Sequence, residues 1–306
     1  MTAVILQKEF SFRSPIDQIE LEGTYIYPEN PIGIIQFLHG MAEHKERYFE
    51  GMRRLAQAGY ACVIHNHRGH GNCPILGHFG KGGAEGIIAD ALAVGDLAKK
   101  EFPSLPLYLF GHSMGSLIAR CCLKRADENY QGVFVCGTPF APPALIKIAR
   151  GYIALKTKLN GDQWRSKSVN AMVTGAFNKG IKDAASPNQW ISYNAQNVAD
   201  YDADPLCGFC FTLSGFAGLM ALMDETFSDK GWACKNTSLP VHLLSGADDP
   251  CHGGIKNFNF AAELIAKKGY PTTKKIFENM RHEILLEEGN EAVFAHILSV
   301  LKEMEG

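Results

Sequence analysis

The sequence has no long apolar run and no excess of charge of one sign. No stretch approaches the roughly 18 apolar residues of a membrane span. Near the amino terminus only four apolar residues in a row precede Gln7 and Lys8, too few for the apolar part of a secretory signal. The 30 basic and 32 acidic residues are spread without blocks, so no field would gather nucleic acid. We expect a cytoplasmic protein without a nucleic-acid partner.

Patterned cysteines are also lacking, although the chain has nine of them. The one close pair is Cys121 and Cys122, and Cys207 and Cys210 have no second Cys or His pair at zinc spacing. An odd number of cysteines without an export signal fits a reducing compartment, where disulfides are rare. We therefore expect free thiols.

Two further segments could suggest a ligand site, and neither has the full pattern. His65, His67 and His70 in HNHRGHG have no carboxylate among them, and their glycines indicate a tight loop. The segment GKGGAEG, residues 80–86, lacks the Lys-Ser/Thr ending of a phosphate-binding loop and predicts a flexible loop. We expect neither a metal ion nor a cofactor.

Short apolar runs alternate with amphipathic stretches, in a chain whose 46% apolar content can form a sizeable core. This alternation predicts an α/β fold with a mostly parallel, eight-stranded sheet and helices on both faces. The predicted strands are 3–12, 19–27, 33–38, 60–64, 106–110, 132–136, 241–245 and 272–277. The predicted helices of this core are 45–58, 85–101, 114–126, 254–268 and 290–304.

The alternation breaks after Pro139 and resumes only near residue 239. The intervening segment is rich in Trp, Phe, Leu and Met, and it is too long for a structureless loop in a compact protein. It predicts a helical cap at 140–235, inserted between core segments 1–139 and 236–306. A ligand is expected beneath the cap, at the carboxyl ends of the strands.

The strongest local signal is PLYLFGHSMGSLIAR, in which an apolar strand leads into Gly111-His112-Ser113-Met114-Gly115 and then a helical pattern. This is the pattern of a nucleophile elbow, a sharp turn that exposes a serine hydroxyl. Glycines suit it because only small residues avoid the neighbouring strand and helix. The pentapeptide alone is common by chance, so Ser113 is predicted as nucleophile because it lies between a buried strand and a helix.

A serine hydroxyl needs a base and a third group that orients the base, and in this topology the acid and the histidine follow in that order. Asp248 and Asp249 come directly after a late strand, and His282 lies between the last strand and the last helix. We prefer Asp249 as the acid because a proline fixes the chain after it, whereas Asp248 could cap the turn. His252 is the alternative base, but it follows the acid too closely.

Attack on a carbonyl creates an oxyanion that needs N–H donors. One predicted donor is the backbone N–H of Met114, directly after the nucleophile. The other is that of Met41, because His39-Gly40-Met41 follows a strand and can turn tightly towards Ser113.

Six motifs together resemble the monoacylglycerol lipase and lysophospholipase branch of the α/β hydrolases. They span nearly the whole chain and occur in the family's order: FLHGMAEH, HRGHG, GHF, LPLYLFGHSMGSLIAR, SGADDP and RHEILLEE. The resemblance implies the α/β-hydrolase fold with Ser113, Asp249 and His282 as catalytic triad, and Met41 and Met114 as oxyanion donors. The chain differs from the family at Asn66, where members usually carry an acidic residue before HRGHG, so a structural contact of that loop is expected to differ.

The resemblance implies hydrolysis of a carboxylic ester, such as a monoacylglycerol or a lysophospholipid, without a cofactor. A small-ester esterase and an aminopeptidase use the same triad, and the latter would need acidic residues such as Asp200, Asp202 and Asp204 to hold the substrate amine. A non-catalytic ligand-binding homologue is a further alternative, although such proteins typically lose a triad residue. The apolar cap is a candidate for transient contact with membranes.

Overall fold

Buried apolar strands form a single eight-stranded sheet in the computed structural model, which describes residues 4–181 and 184–305. Parts of the predicted segments that fall on residues 1–3, 182–183 and 306 lie outside the described residues. The strands are β1 (Ile5–Arg13), β2 (Glu20–Pro28), β3 (Gly33–Leu38), β4 (Tyr60–His65), β5 (Leu107–His112), β6 (Gly132–Cys136), β7 (Val241–Gly246) and β8 (Thr272–Phe277).

The sheet has the order β1-β2-β4-β3-β5-β6-β7-β8. β1 and β2 are antiparallel to each other, and β2 is antiparallel to β4, whereas the remaining neighbours are parallel. Every residue of β3 to β7 is buried, as expected for strands covered on both faces. The predicted fold class and strand positions are confirmed.

Helices cover both faces of the sheet, and each face has its own cluster of buried apolar side chains. On one face the cluster includes Ile87 and Ile118, and on the other it includes Met52 and Ile297. The helices of this core are α1 (Phe49–Gln57), α2 (Gly83–Glu101), α3 (Met114–Ala126), α8 (Ile255–Ala266) and α9 (Glu291–Glu305). Among the described residues no helix is long and apolar enough to cross a membrane.

Residues 137–240 lie between β6 and β7, which are neighbours in the sheet. The described part of this insertion contains α4 (Pro143–Asn160), α5 (Lys167–Thr174), α6 (Ala195–Ala203) and α7 (Leu213–Phe227). Side chains of Ser166, Asn194 and Thr212 accept hydrogen bonds from backbone N–H groups at the starts of α5, α6 and α7. The segment is helical, and the exact domain limits 1–139, 140–235 and 236–306 stay predictions.

The segment GKGGAEG differs from its prediction as a flexible loop, because α2 already begins at Gly83. The reason is a buried arginine. The Arg68 guanidinium occupies the space beside Gly82 and Gly86, where a Cβ atom would collide with it, and its Nε donates a 2.8 Å hydrogen bond to Asp90 in α2. These glycines therefore leave room for an arginine under a helix.

Asn66 retains a structural contact in the loop where the resemblance placed an acidic residue. Its Oδ1 accepts a hydrogen bond from the N–H of Lys45 at 2.9 Å, and its Nδ2 donates to Glu22 at 2.8 Å. The amide thus joins two segments at once.

Candidate active site

Ser113 lies at the turn between β5 and α3, with φ of 54° and ψ of −121°. This left-handed region is unfavourable for a residue with a side chain and occurs mainly where the surrounding structure enforces it. A Cβ atom on Gly111 would collide with the carbonyl oxygen of Gly115, and one on Gly115 would collide with that of Leu38. The two glycines therefore permit the close approach of strand, turn and helix that presents the Ser113 hydroxyl.

His282 and Asp249 lie on neighbouring loops after β8 and β7. His282 Nδ1 is 3.0 Å from both carboxylate oxygens of Asp249, and both residues are buried. Gly246 has no side chain to separate the loops, since a Cβ there would collide with the carbonyl oxygen of Arg281. The structure brings this predicted pair together.

The Asp249 carboxylate is stabilised in its charged form. Burial would raise its pKa, but the His282 imidazole and the N–H of Cys251, 2.8 Å from Asp249 Oδ1, outweigh burial and lower the pKa. An ionised acid at this position favours the tautomer of His282 that carries its proton on Nδ1, which leaves Nε2 free to accept one.

Ser113 and His282 line the same cavity, but no hydrogen bond between them is present among the described residues. His282 Nε2 instead lies 3.8 Å from the Sγ atom of Cys251. The imidazole also packs against Trp190, with 5.0 Å between ring centroids. Catalytic hydrogen bonds are often loose before substrate binds.

The two alternative residues have other partners. Asp248 Oδ2 accepts a hydrogen bond of 3.0 Å from the hydroxyl of Tyr193. His252 Nδ1 accepts one of 2.9 Å from the N–H of Gly254, and its ring packs against Phe258. The geometry favours Asp249 and His282 over both.

The loop after β3 lies directly against Ser113. A Cβ atom on Gly40 would be 3.1 Å from that of Ser113, and Met41 and Met114 both line the cavity. No hydrogen bond within the described part of the chain uses the backbone N–H of either methionine. Both groups are available to an oxyanion.

A buried network of charged side chains lies beneath this loop, and it was not predicted from the sequence. Arg47 donates to Glu43 at 2.7 Å and to both carboxylate oxygens of Glu283 at 2.7 Å. Glu43 in turn accepts hydrogen bonds from the N–H of Gly40 at 2.6 Å and from the hydroxyl of Tyr48 at 2.9 Å. The network thus connects the loop after β3 with the residue that follows His282.

The charges in this network stabilise one another. Burial would raise the pKa of the Glu43 carboxyl, but hydrogen bonding to His112 and the positive charge of Arg47 hold it well below its usual value. The partners Arg47 and Glu283 are 236 residues apart in sequence, so no spacing pattern could have indicated them. The one available signal was the charged cluster in MAEHKER, directly after the predicted oxyanion loop.

A cavity of about 470 Å³ extends from Ser113 into the inserted segment. Its size falls in the range of small-molecule sites. Most of its wall is apolar and comes from α4, α5, α7 and the loops that join them, including Ile146, Ala149, Met172, Val173, Phe177, Trp190, Phe209, Leu219, Met220 and Met223.

Two groups of side chains offer metal-ligand atoms close to one another: Asp249, Cys251 and His282, and His44, Asp204 and Cys207. In the first group, the His282–Asp249 hydrogen bonds already use the ligand atoms. In the second, His44 Nε2 is 2.8 Å from Asp204 Oδ2, which is a hydrogen-bond distance. Among the described residues, the histidine and the aspartate of each group are thus already hydrogen-bonded to each other.

The sheet order, the elbow and the neighbouring His–Asp pair define an α/β hydrolase. The sequence pattern of the family described as serine aminopeptidase S33 matches residues 29–289. The chain belongs to this hydrolase family.

Known relatives and a solved structure agree with this assignment. The chain is 22% identical over 275 residues to a monoacylglycerol lipase of Mycolicibacterium smegmatis, covering 88% of this chain and 90% of that one. It is 26% identical over 279 residues to an uncharacterised abhydrolase domain-containing protein of Dictyostelium discoideum, of which it spans only 26%. A carboxyl esterase from Bacillus coagulans superimposes with a TM-score of 0.90 at 25% identity, covering 97% and 98% of the two chains.

Proposed function

We propose that this protein is a serine hydrolase that cleaves carboxylic esters, with Ser113 as nucleophile, His282 as general base and Asp249 as the acid that orients it. The observation that carries the proposal is the placement of the His282–Asp249 pair beside a left-handed Ser113, at one end of an apolar cavity. The backbone N–H groups of Met41 and Met114 are the proposed oxyanion donors.

In the proposed mechanism, Ser113 Oγ attacks the ester carbonyl carbon while His282 Nε2 takes the hydroxyl proton. The carbonyl oxygen becomes an oxyanion, which the N–H groups of Met41 and Met114 stabilise. The carbon–oxygen bond to the alcohol then breaks, and His282 returns the proton to the departing alcohol. Water repeats the sequence on the acyl-enzyme and releases the carboxylic acid.

The preferred substrate class is a monoacylated lipid, a monoacylglycerol or a lysophospholipid. The mainly apolar wall of the cavity suits an acyl chain, because each buried methylene contributes about 0.8 kcal/mol. The monoacylglycerol lipase among the relatives supports the same choice, and the carboxyl esterase supports ester hydrolysis more broadly.

An aminopeptidase is less well supported, although the family carries that description. The carboxylates that line the cavity belong to Glu43 and Glu283, and Arg47 already binds both. Of the acidic residues considered for the amine, Asp204 pairs with His44, and Asp200 and Asp202 are exposed outside the cavity wall.

Labelling with a fluorophosphonate probe tests the proposal, with Ser113→Ala as variant and the exposed Ser299→Ala as matched control. We expect labelling of the wild type and of the control, and none of Ser113→Ala. An unlabelled wild type would favour a non-catalytic ligand-binding protein. Esters of increasing acyl length then test the substrate class, since a preference for acetyl or butyryl esters would indicate a small-ester esterase.

The proposed partner is a lipid surface, and the proposed compartment is the cytoplasm. Helix α4 exposes Leu145, Ile148, Leu155 and Leu159 on one face, and lysines 147, 156 and 158 lie on the same helix. This amphipathic pattern supports transient contact of the cap with a lipid surface. Co-sedimentation of the wild type and of Leu155→Asp with lipid vesicles tests it, and we expect the variant to bind more weakly. All nine cysteines are free, which supports a cytoplasmic location.

A further inference from the structure

Ala42, the residue after the proposed oxyanion donor Met41, has a φ of 54°. A residue with a Cβ rarely adopts this left-handed conformation, and it persists only where neighbouring groups enforce it. The φ of Ala42 sets the angle between the Met41–Ala42 peptide and the peptide that follows it, and therefore the path of the loop that carries Met41 past Ser113.

Three hydrogen bonds hold the Ala42 backbone. Its N–H donates to His70 Nε2 at 3.2 Å. Its carbonyl oxygen accepts from the Tyr201 hydroxyl at 2.9 Å and from the N–H of Gly208, also at 2.9 Å. His70 belongs to the core loop after β4, whereas Tyr201 in α6 and Gly208 belong to the inserted segment.

We propose that the inserted segment completes the oxyanion hole, with Tyr201 as a positioning residue that keeps Ala42 left-handed and so directs the N–H of Met41 towards the substrate oxygen. The inference rests on the proposed function of Ser113 and Met41. It makes α6 a fixed part of the catalytic centre, whereas a lid would only cover it.

The surroundings of Tyr201 allow its hydroxyl to be removed alone. Tyr201 is 7% exposed, and the Arg47 guanidinium lies 4.8 Å from the centroid of its ring. Asn197, one turn earlier in α6, anchors the helix by accepting from Arg47 at 3.0 Å and donating to Glu283 at 2.8 Å. Tyr201→Phe should therefore keep the packing and lose only the hydrogen bond to Ala42.

The experiment compares Tyr201→Phe with Tyr193→Phe, which removes another hydroxyl of the inserted segment, one that contacts Asp248. Because losing a whole oxyanion donor lowers kcat about 10²- to 10³-fold, we expect misdirection of one donor to lower kcat about tenfold. KM should change less than about twofold, since the loss concerns the transition state. The rate of fluorophosphonate labelling should fall with kcat, and Tyr193→Phe should match the wild type.

A rescue variant makes the test specific. Glycine adopts the left-handed region without penalty, so Tyr201→Phe combined with Ala42→Gly should recover most of the lost kcat. An unchanged kcat in Tyr201→Phe, an equal loss in Tyr193→Phe, or a loss that Ala42→Gly does not restore would each overturn the inference. A wild type that neither labels nor turns over ester would instead reject the proposed function.

Discussion

Tyr193 donates a 3.0 Å hydrogen bond to Asp248, while the neighbouring carboxylate of Asp249 faces His282 at 3.0 Å. Two adjacent aspartates after the same strand therefore have separate partners. Asp248 binds the inserted segment, and Asp249 is buried beside the imidazole.

Substitution of these two aspartates should give very different kinetics. Asp249→Asn should lower kcat about 10⁴-fold, because an amide in place of the carboxylate favours the wrong tautomer of the histidine. Asp248→Asn keeps an acceptor for Tyr193 and should change kcat by less than about threefold. Steady-state hydrolysis of a chromogenic ester measures both, and comparable losses in the two variants would contradict the assignment.

The fold could be predicted because local pattern and tertiary structure agree along the core. The strand GIIQFL at 33–38 is apolar except for Gln36, and the structure buries it on both faces. Gly111 and Gly115 on either side of Ser113 likewise have a local steric reason, because a side chain at either position would collide with the backbone. Tertiary contacts decide the conformation at Gly82 and Gly86, which lie against the Arg68 side chain. There the pattern predicted a loop, whereas the structure has the start of helix α2.

The residues that hold the site in place could not be predicted, because they act through contacts between segments that are distant in sequence. Arg47 binds Glu283 and Tyr201 binds Ala42 across 159 residues, and neither pair leaves a periodic or spaced pattern. The strain at Ala42 was also invisible, since alanine is not a residue that favours left-handed turns. The proposed catalytic side chains follow a typical order along the chain, whereas the groups that position them are brought together only by the fold.

Replacing either of two helical glycines with alanine should have opposite effects on stability. Gly115→Ala places a Cβ against the backbone oxygen of Leu38, where nothing can move easily, so we expect loss of folding or of activity. Gly151 in α4 has open space around its Cβ position, and Gly151→Ala should stabilise by about 0.5–1 kcal/mol. Urea unfolding and ester turnover check both. A stable, active Gly115→Ala would disprove the tight elbow.

Narrowing the cavity should change the preferred acyl length. Met220 lines the wall from α7, and Met220→Trp should exclude the distal methylenes of a long chain. At about 0.8 kcal/mol per methylene, losing two or more lowers kcat/KM for long esters about tenfold or more. Turnover of acetyl esters should stay within about threefold. The exposed Leu155→Trp serves as control, and equal effects on long and short esters would show that the chain binds elsewhere.

His65 should make the protein less stable in mild acid. It is fully buried, and burial, with a smaller effect of the Arg68 charge, lowers its pKa to about 3, against about 6.5 in an unfolded chain. Between these values the unfolded state binds a proton that the folded state does not. Stability therefore falls with falling pH by about 1.4 kcal/mol per unit for this group.

Replacing His65 with phenylalanine isolates that contribution. Urea unfolding of wild type and His65→Phe, measured from about pH 6 to about pH 4, should show a shallower pH dependence in the variant by about 1.4 kcal/mol per unit, since one proton fewer is taken up on unfolding. Titrating groups that do not interact with His65 cancel in the difference. Phe12→Leu, which alters packing against the His65 ring, should shift the curve without changing its slope. Parallel curves for wild type and His65→Phe would mean that folded His65 titrates near its ordinary pKa.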